Sequence, residues 1–410
     1  LYLKYEQDKT IPKKTVKAQD LFFDLLKERA ETGRIYIMNI DHANTHSSFK
    51  DKVSMSNLCQ EITLPTTPIQ HIDDGQGEIA LCILSAINVG SISNLDELKN
   101  LCDLSVRSLD EIIDYQDYPV KAAEVSTKAR RSLGIGYIGL AHYLAKQGFK
   151  YSDKGAWESV DRLTEAFQYY LLKASNDVAK EKGKCTGFDR TKYADGKLPI
   201  DHYKKEVDEI VPHKQRYAWE ALRKDIAKYG LRHSTLSAQM PSESSSVVSN
   251  ATNGVEPPRA LLSIKKSKKG PLKQIVPGYP KLKNDYTLLW DMKGNTGYIN
   301  IVSVMQKYFD QAISGNWSYN PLQYENNEVP LSAMATDMLT TYKYGWKTSY
   351  YQNTYDFKGE EDEVQPAGIN ATVKEDDGED IILPHEIDHV NGTGKINSTT
   401  EDGECEACTI

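Results

Sequence analysis

The chain has 410 residues, 39% of them hydrophobic and 26% charged, enough for two or three domains or one large barrel with appendages and unlike collagen, coiled coil or wholesale disorder. It contains no run of about eighteen apolar residues, which excludes a helical membrane span. The net charge of −8 is concentrated late, with fourteen Asp and Glu against three Lys in residues 357–404, so the rest is weakly positive and offers no electrostatic footprint for nucleic acid.

The chain opens with Leu1 and LYLKYEQDKT, which has neither the apolar stretch nor the cleavage pattern of a signal peptide. We therefore read it as part of a longer polypeptide, truncated or naturally split. Residues 16–33 place apolar side chains at helical spacing and stop at Gly33, a C-cap position. RIYIMNID (34–41) alternates and predicts a strand. A polar loop leads to SNLCQEITLPT (56–66) and the turn DDGQG. GEIALCILSAINVGSI (77–92) is continuously apolar and places Cys82 on a buried strand. Residues 94–114 and 151–184 carry helical patterns, the second the clearest amphipathic helix in the chain. Residues 201–230 read as a polar helical pair. TLSAQM (235–240) predicts a short strand and SESSSVVSN (242–250) the start of a helix. YTLLWDM, GYINIVSVMQKYFDQAI (297–313), MATDMLTTYKYG and KTSYYQNTYD (347–356) mix helices with a final strand. The alternation defines an α/β class.

The expected organisation is an ordered body over 1–356, a disordered acidic tether over 357–404, and a tail, 405–410, that carries a CxxC. Acidic, glycine-rich and nearly free of aromatics, the tether buries too little apolar surface to fold alone. A flexible chain of this length spans roughly 35–42 Å root-mean-square, enough to carry the tail across a domain. The six cysteines, at 59, 82, 102, 185, 405 and 408, are too sparse for a secreted disulfide scaffold and point to a reducing, cytoplasmic compartment.

Three motifs compete with other chemistry. GIGYIG (134–139) has the spacing of a dinucleotide fingerprint but follows TKARRSL rather than a strand and lacks the downstream acidic residue; its plain reading is close packing of a helix against a sheet. HEIDH (385–389) matches the zinc-protease pattern, yet it sits in acidic, glycine-flanked surroundings where no rigid helix is expected, so a solvated charge run is the simpler reading. Cys405 and Cys408 have no second CxxC to complete a zinc site. On a long tether they suit thiol–disulfide exchange.

Among the other cysteines, Cys102 and Cys185 read as small core hydrophobes. Cys59 differs because Asn57 and Glu61 flank it at i−2 and i+2. In an extended segment the three side chains share one face, joining a thiol, an amide and a carboxylate, the parts for hydrogen removal beside a general base. PSESSS (Pro241, Ser242, Glu243, Ser244, Ser245, Ser246) puts hydroxyls and free amides at a helix start. Spacing alone leaves an anion site and simple N-capping by Ser242 evenly matched. For adjacent Tyr350 and Tyr351 on a strand, core packing is the default, since consecutive strand residues point to opposite faces.

Taken together, SNLCQEITLPT, GEIALCILSAINVG, PSESSSVVSNATNGVEPPR, KTSYYQNTYD and the terminal CEAC closely resemble the large, catalytic (α) subunit of class Ia ribonucleoside-diphosphate reductases, over residues 1 to about 356 and again at the tail. The resemblance implies part of a ten-stranded α/β barrel with a central finger loop. It implies that Cys59 becomes a thiyl radical that abstracts the ribose 3′ hydrogen, that Glu61 takes the 3′-hydroxyl proton, and that Asn57, with Leu58 and Gln60 beside it, binds the sugar. Cys82 is implied as one of two thiols that end as a disulfide, its partner lying in an N-terminal portion this sequence lacks. Pro241–Ser246 would hold the substrate diphosphate, Tyr350 and Tyr351 would stack and relay the radical, and Cys405 and Cys408 would re-reduce the active-site disulfide.

Implied partners are a small (β) subunit whose metal/tyrosyl site supplies the radical, a second α subunit, thioredoxin or glutaredoxin, and a ribonucleoside diphosphate. No cofactor is expected on this chain, and ATP or deoxynucleotide effectors would bind the N-terminal region. Alone the chain is expected not to turn over. The alternatives are a class Ib α fragment, a non-catalytic module that binds a small subunit, and, remotely, a zinc protease through HEIDH.

Overall fold

The structure, a computed structural model, describes residues 2–267 and 270–355. The 357–404 tether, HEIDH, Cys405 and Cys408 lie outside the described residues. The first long helix, Ala18–Thr32, ends where expected: Gly33 takes a left-handed conformation, φ 69°, and its N–H donates to the Arg29 carbonyl, a conformation glycine adopts without a Cβ penalty. RIYIMNID yields less strand than its alternation suggests. Strand β1 is only Ile37–Met38, because it pairs, antiparallel, with just residues 348–349, and a short helix starts at Ile40.

Strands β2 (Ile83–Asn88) and β3 (Leu133–Ile138) pair in parallel along their whole length. The helices Glu97–Tyr115 and Lys121–Arg130 form the crossover that parallel pairing requires. GIGYIG is itself the core of β3, contrary to the sequence expectation, and every residue of that strand is buried. Its glycines are dictated by proximity. A Cβ on Gly134 would lie 2.8 Å from the Cys82 Sγ, and one on Gly136 would lie 2.7 Å from the Ala238 carbonyl oxygen. Cys82 stands just before β2, which is half-buried rather than fully enclosed.

A hairpin, β4 (Leu262–Ser267) and β5 (Gly270–Ile275), is antiparallel. Strand β6 (Trp317–Tyr319) runs parallel to β8 (Gln352–Thr354), with β7 (Thr348–Ser349) just upstream. TLSAQM is extended but reduced to single parallel bridges, Ser237 to Ile135 and Gln239 to Ile313. These bridges set a lateral order: β2, β3, residues 235–240, residues 311–319, residues 348–354, all parallel. Among the described residues this is an open array and not a closed ten-stranded barrel. Its β2 flank leaves Leu81 and Leu84 37% and 44% exposed.

The Lys154–Lys182 helix is 29 residues long and buries Val160, Leu163, Phe167, Leu171 and Val178 in the core, as its apolar spacing dictates. The 201–230 segment gives one regular helix, Trp219–Tyr229, preceded by short turns at Pro199–His202 and Lys205–Glu209. Pro212, with no N–H to donate, prevents a continuous pair. The 297–313 pattern also divides. Its helix, Thr296–Gln306, gives way to extended chain because Asp310 is fixed from the sheet side, its N–H donating to Ser237 Oγ and its carboxylate accepting from the Leu236 N–H at 2.7 Å. Cys102 and Cys185 are core residues.

Candidate active site

Cys59 stands in a turn, not in the extended segment the i±2 argument assumed. The Asn57 carbonyl accepts from the Gln60 N–H at 3.2 Å and Gln60 takes φ 68°, a region non-glycine residues seldom occupy. The turn still gathers the expected groups by a different route. Asn57 Oδ1 accepts the Ile62 N–H at 3.0 Å, and the Asn57 side chain lies within reach of the Glu61 carboxyl. Glu61 is only 2% exposed. Burial pushes its carboxyl above the ordinary glutamate range, against hydrogen bonds from Asn57 and Ser314 that favour the anion. A carboxylate destabilised in this way is a stronger base. Leu58 points outward, 55% exposed.

The turn is held from behind by residues 311–316. The Ala312 N–H donates to the Glu61 carbonyl at 3.0 Å. Ser314 Oγ lies 2.5 Å from the Cys59 carbonyl oxygen and 3.3 Å from Glu61 Oε2. Gln311 ties three elements together: its Oε1 accepts the Thr63 N–H, and its Nε2 donates to the Leu133 carbonyl and lies 3.6 Å from Cys82 Sγ. The Cys82 thiol is pushed up to about 12 by burial, reinforced by the nearby Glu61 charge. At neutral pH it is therefore a thiol, with its hydrogen in place.

The tyrosines complete the cluster. Tyr350 and Tyr351 lie in the break between β7 and β8 rather than on a strand. Freed from strict alternation, their rings pack with centroids 4.2 Å apart at 54°. The Tyr350 hydroxyl donates to Cys59 Sγ at 3.4 Å, so a phenolic hydrogen and a thiol sulfur are in contact. A third ring, unanticipated from sequence, joins them: Tyr36 lies 4.8 Å from Tyr350 and 5.3 Å, edge-on, from Tyr351. The Tyr351 N–H donates to Asn316 Oδ1 at 3.0 Å, and the Asn316 amide donates in turn to Glu256. Tyr36, Gln311, Ser314 and Asn316 carried no sequence signal, being single polar or aromatic residues whose meaning depends on which segments lie side by side.

The serine run forms a short helix, Glu243–Val248, entered through Ser242 at φ 61°. Ser242 does not cap it through its side chain; its hydroxyl instead lies 3.4 Å from the Met240 carbonyl. Ser246 is buried and donates back to the Ser242 carbonyl at 2.7 Å, while Glu243, Ser244 and Ser245 are exposed and Pro241 is half-buried. The helix follows directly on residues 237–240, which hydrogen-bond to residues 311–314. Among the described residues no group of three or more His, Cys, Asp or Glu is placed to hold a metal, and no helix is long and apolar enough to cross a membrane.

The arrangement groups a turn-borne thiol touched by a phenol, a buried carboxyl in the same turn, and a second thiol reached through Gln311, residue types that can exchange hydrogen atoms and protons. The chain belongs to the family of the ribonucleotide reductase barrel domain, whose model matches residues 1–352. It is 59% identical over 359 residues to the ribonucleoside-diphosphate reductase subunit alpha of Haemophilus influenzae, covering 87% of this chain and 48% of that protein. It is 55% identical over 359 residues to ribonucleoside-diphosphate reductase 1 subunit alpha of Escherichia coli (87% and 47%). With the ribonucleoside-diphosphate reductase subunit alpha of phage T4 it shares 42% identity over 369 residues (88% and 48%). The chain thus spans about half the length of the curated relatives it matches.

Proposed function

We propose that this chain is the C-terminal part of the catalytic subunit of a class Ia ribonucleoside-diphosphate reductase, contributing half of a ten-stranded barrel and the radical-bearing thiol. The observation that carries the reading is the contact between the Tyr350 hydroxyl and Cys59 Sγ at 3.4 Å, with Tyr351 packed against Tyr350. A hydrogen atom passes between oxygen and sulfur at this contact without separating charge.

In the proposed reaction a Cys59 thiyl takes the 3′ hydrogen of the ribose and becomes a thiol, while Glu61 removes the 3′-hydroxyl proton and Asn57 orients the sugar. The 2′-hydroxyl leaves as water. Cys82 and a partner cysteine outside this chain supply two electrons and two protons and become a disulfide, one proton leaving with the 2′-hydroxyl as water and the other ending on C2′; Glu61 returns its proton to the 3′ oxygen, and the 3′ hydrogen then returns from Cys59. Burial of Glu61 beside the turn keeps its carboxyl away from bulk water. The exposed start of the Glu243–Val248 helix, the region of Pro241–Ser246, is assigned to the substrate diphosphate. Tyr351 and Tyr350 are assigned to relay the radical from a small subunit, and Cys405 and Cys408 to re-reduce the disulfide and exchange with thioredoxin or glutaredoxin. A second α subunit and a cytoplasmic location belong to the same reading.

The test combines the chain with a complementing N-terminal polypeptide, a radical-bearing small subunit, a ribonucleoside diphosphate and dithiothreitol. Deoxynucleotide is expected with wild type and none with Cys59→Ala. Product that persists in Cys59→Ala, or its absence in wild type, rejects the reading.

A further inference from the structure

The tyrosine cluster has a support that neither the sequence motifs nor the proposed chemistry uses. Arg29, from the Ala18–Thr32 helix, is completely buried. One guanidinium nitrogen donates to the Ile35 carbonyl, immediately before Tyr36, and another donates to the Tyr351 carbonyl at 3.3 Å. The guanidinium carbon lies 4.6 Å from the Trp317 ring centroid. Among the described residues its hydrogen bonds run to backbone carbonyls and not to a carboxylate, and its Nε has no partner. Burial lowers its pKa to about 10, so it stays charged at neutral pH.

Burying a cation without a counter-charge is costly, and an apolar side chain would fill the space over Trp317 more cheaply. What an apolar residue lacks is a planar fork of donors at fixed angles. Here the fork spans two backbone segments far apart in sequence, one ending at Tyr36 and the other carrying Tyr350 and Tyr351. The same helix end is seated on the second segment, where the Gln352 N–H donates to the Gly33 carbonyl at 3.1 Å and a Cβ on Gly33 would lie 2.9 Å from the Gln352 carbonyl oxygen.

We propose that Arg29 is a positioning residue that fixes Tyr36 against the Tyr350–Tyr351 pair, and through that packing the Tyr350 hydroxyl against Cys59. The proposal rests on the radical-relay reading above. Two readouts in the same complemented assembly separate them. The first is turnover. Arg29→Ala is expected to lower kcat about 100-fold, the scale of a displacement of about 1 Å at a reacting group, with KM for the diphosphate unchanged and with added guanidinium ion restoring a large part of kcat. The second needs no turnover: 3-fluorotyrosine at position 351 gives a fluorine resonance whose shift is expected to move in Arg29→Ala and to return with guanidinium. Arg29→Lys retains the charge but not the fork; it is expected to fold with a wild-type melting midpoint and still lose kcat, and it replaces the alanine variant if that one does not fold. Unchanged kcat and an unmoved resonance in a folded variant overturn the role of Arg29. A wild type without product, but with a resonance that responds to Arg29, overturns the relay reading and leaves the positioning role standing.

Discussion

Two polar clusters contact residues 309–316, and they are built in opposite ways. In the deeper one, Lys347 donates to three successive carbonyls, those of Phe309, Asp310 and Gln311, and Asp310 is met by Gln168, Tyr193 and the Leu236 N–H. Burial pushes both groups toward their neutral forms, and their mutual attraction opposes it. At the sulfurs of Cys59 and Cys82 the contacts are longer and softer, a phenol on the first at 3.4 Å and an amide near the second at 3.6 Å. Saturated hydrogen bonding makes the first cluster a fixed anchor. The second leaves the Cys82 thiol unionised with its hydrogen in place, as the proposed hydrogen-atom chemistry requires. The contrast shows how one short segment can carry both a fixed anchor and the contacts of the candidate site.

The contrast is sharpest at Tyr350. Tyr350→Phe keeps the ring and is expected to abolish deoxynucleotide formation in the complemented enzyme while changing stability by less than about 1 kcal/mol, the worth of one ordinary hydrogen bond. Denaturant unfolding beside the turnover assay checks both halves, and a phenylalanine variant that turns over would erase the distinction. Lys347→Ala is the reciprocal change. It strands Asp310 and three carbonyls and is expected to cost about 3–5 kcal/mol, visible as a lowered urea midpoint.

A smaller effect is expected at Gly134. Gly134→Val thrusts branched carbon toward Cys82 Sγ and Leu84, and overpacking of this kind costs about 1–3 kcal/mol. Slower alkylation or oxidation of Cys82, measured by mass spectrometry, would tie the strain to that sulfur. The smallest effect concerns pH. Burial raises Glu256 from the ordinary glutamate value to about 7, so the folded state binds more protons than the unfolded chain between these values. Its contribution is fully present below about pH 4.5 and is lost as pH rises toward 7. Glu256→Gln is expected to flatten that part of the stability–pH curve, and an unchanged slope would place the titration elsewhere.

Much of the site was legible before any fold was drawn. The i±2 grouping of Asn57, Cys59 and Glu61 is local, and a turn, not strand alternation, brings Asn57 within reach of the Glu61 carboxyl, while the Cys59 sulfur meets Tyr350. The helices at 18–32 and 154–182 follow from apolar periodicity, which an isolated segment displays in its own order of residues. The β3 glycines were misread because their reason is the sulfur of Cys82 and the backbone of residue 238, neither of which is local.

The sequence by itself determined the elements with strong periodicity and the family through its several ordered motifs, and it singled out as candidates the two thiols, the carboxyl and the two adjacent tyrosines. Only the tertiary structure decided that Tyr350 touches Cys59, that Tyr36 completes the ring cluster, and that Arg29, Gln311, Ser314 and Asn316 hold it. The physical reason is that these contacts join the 29–36, 57–61, 311–316 and 350–352 segments. Their proximity is set by strand pairing between residues remote in sequence, parallel between 317–319 and 352–354 and antiparallel between 37–38 and 348–349, which no local pattern encodes.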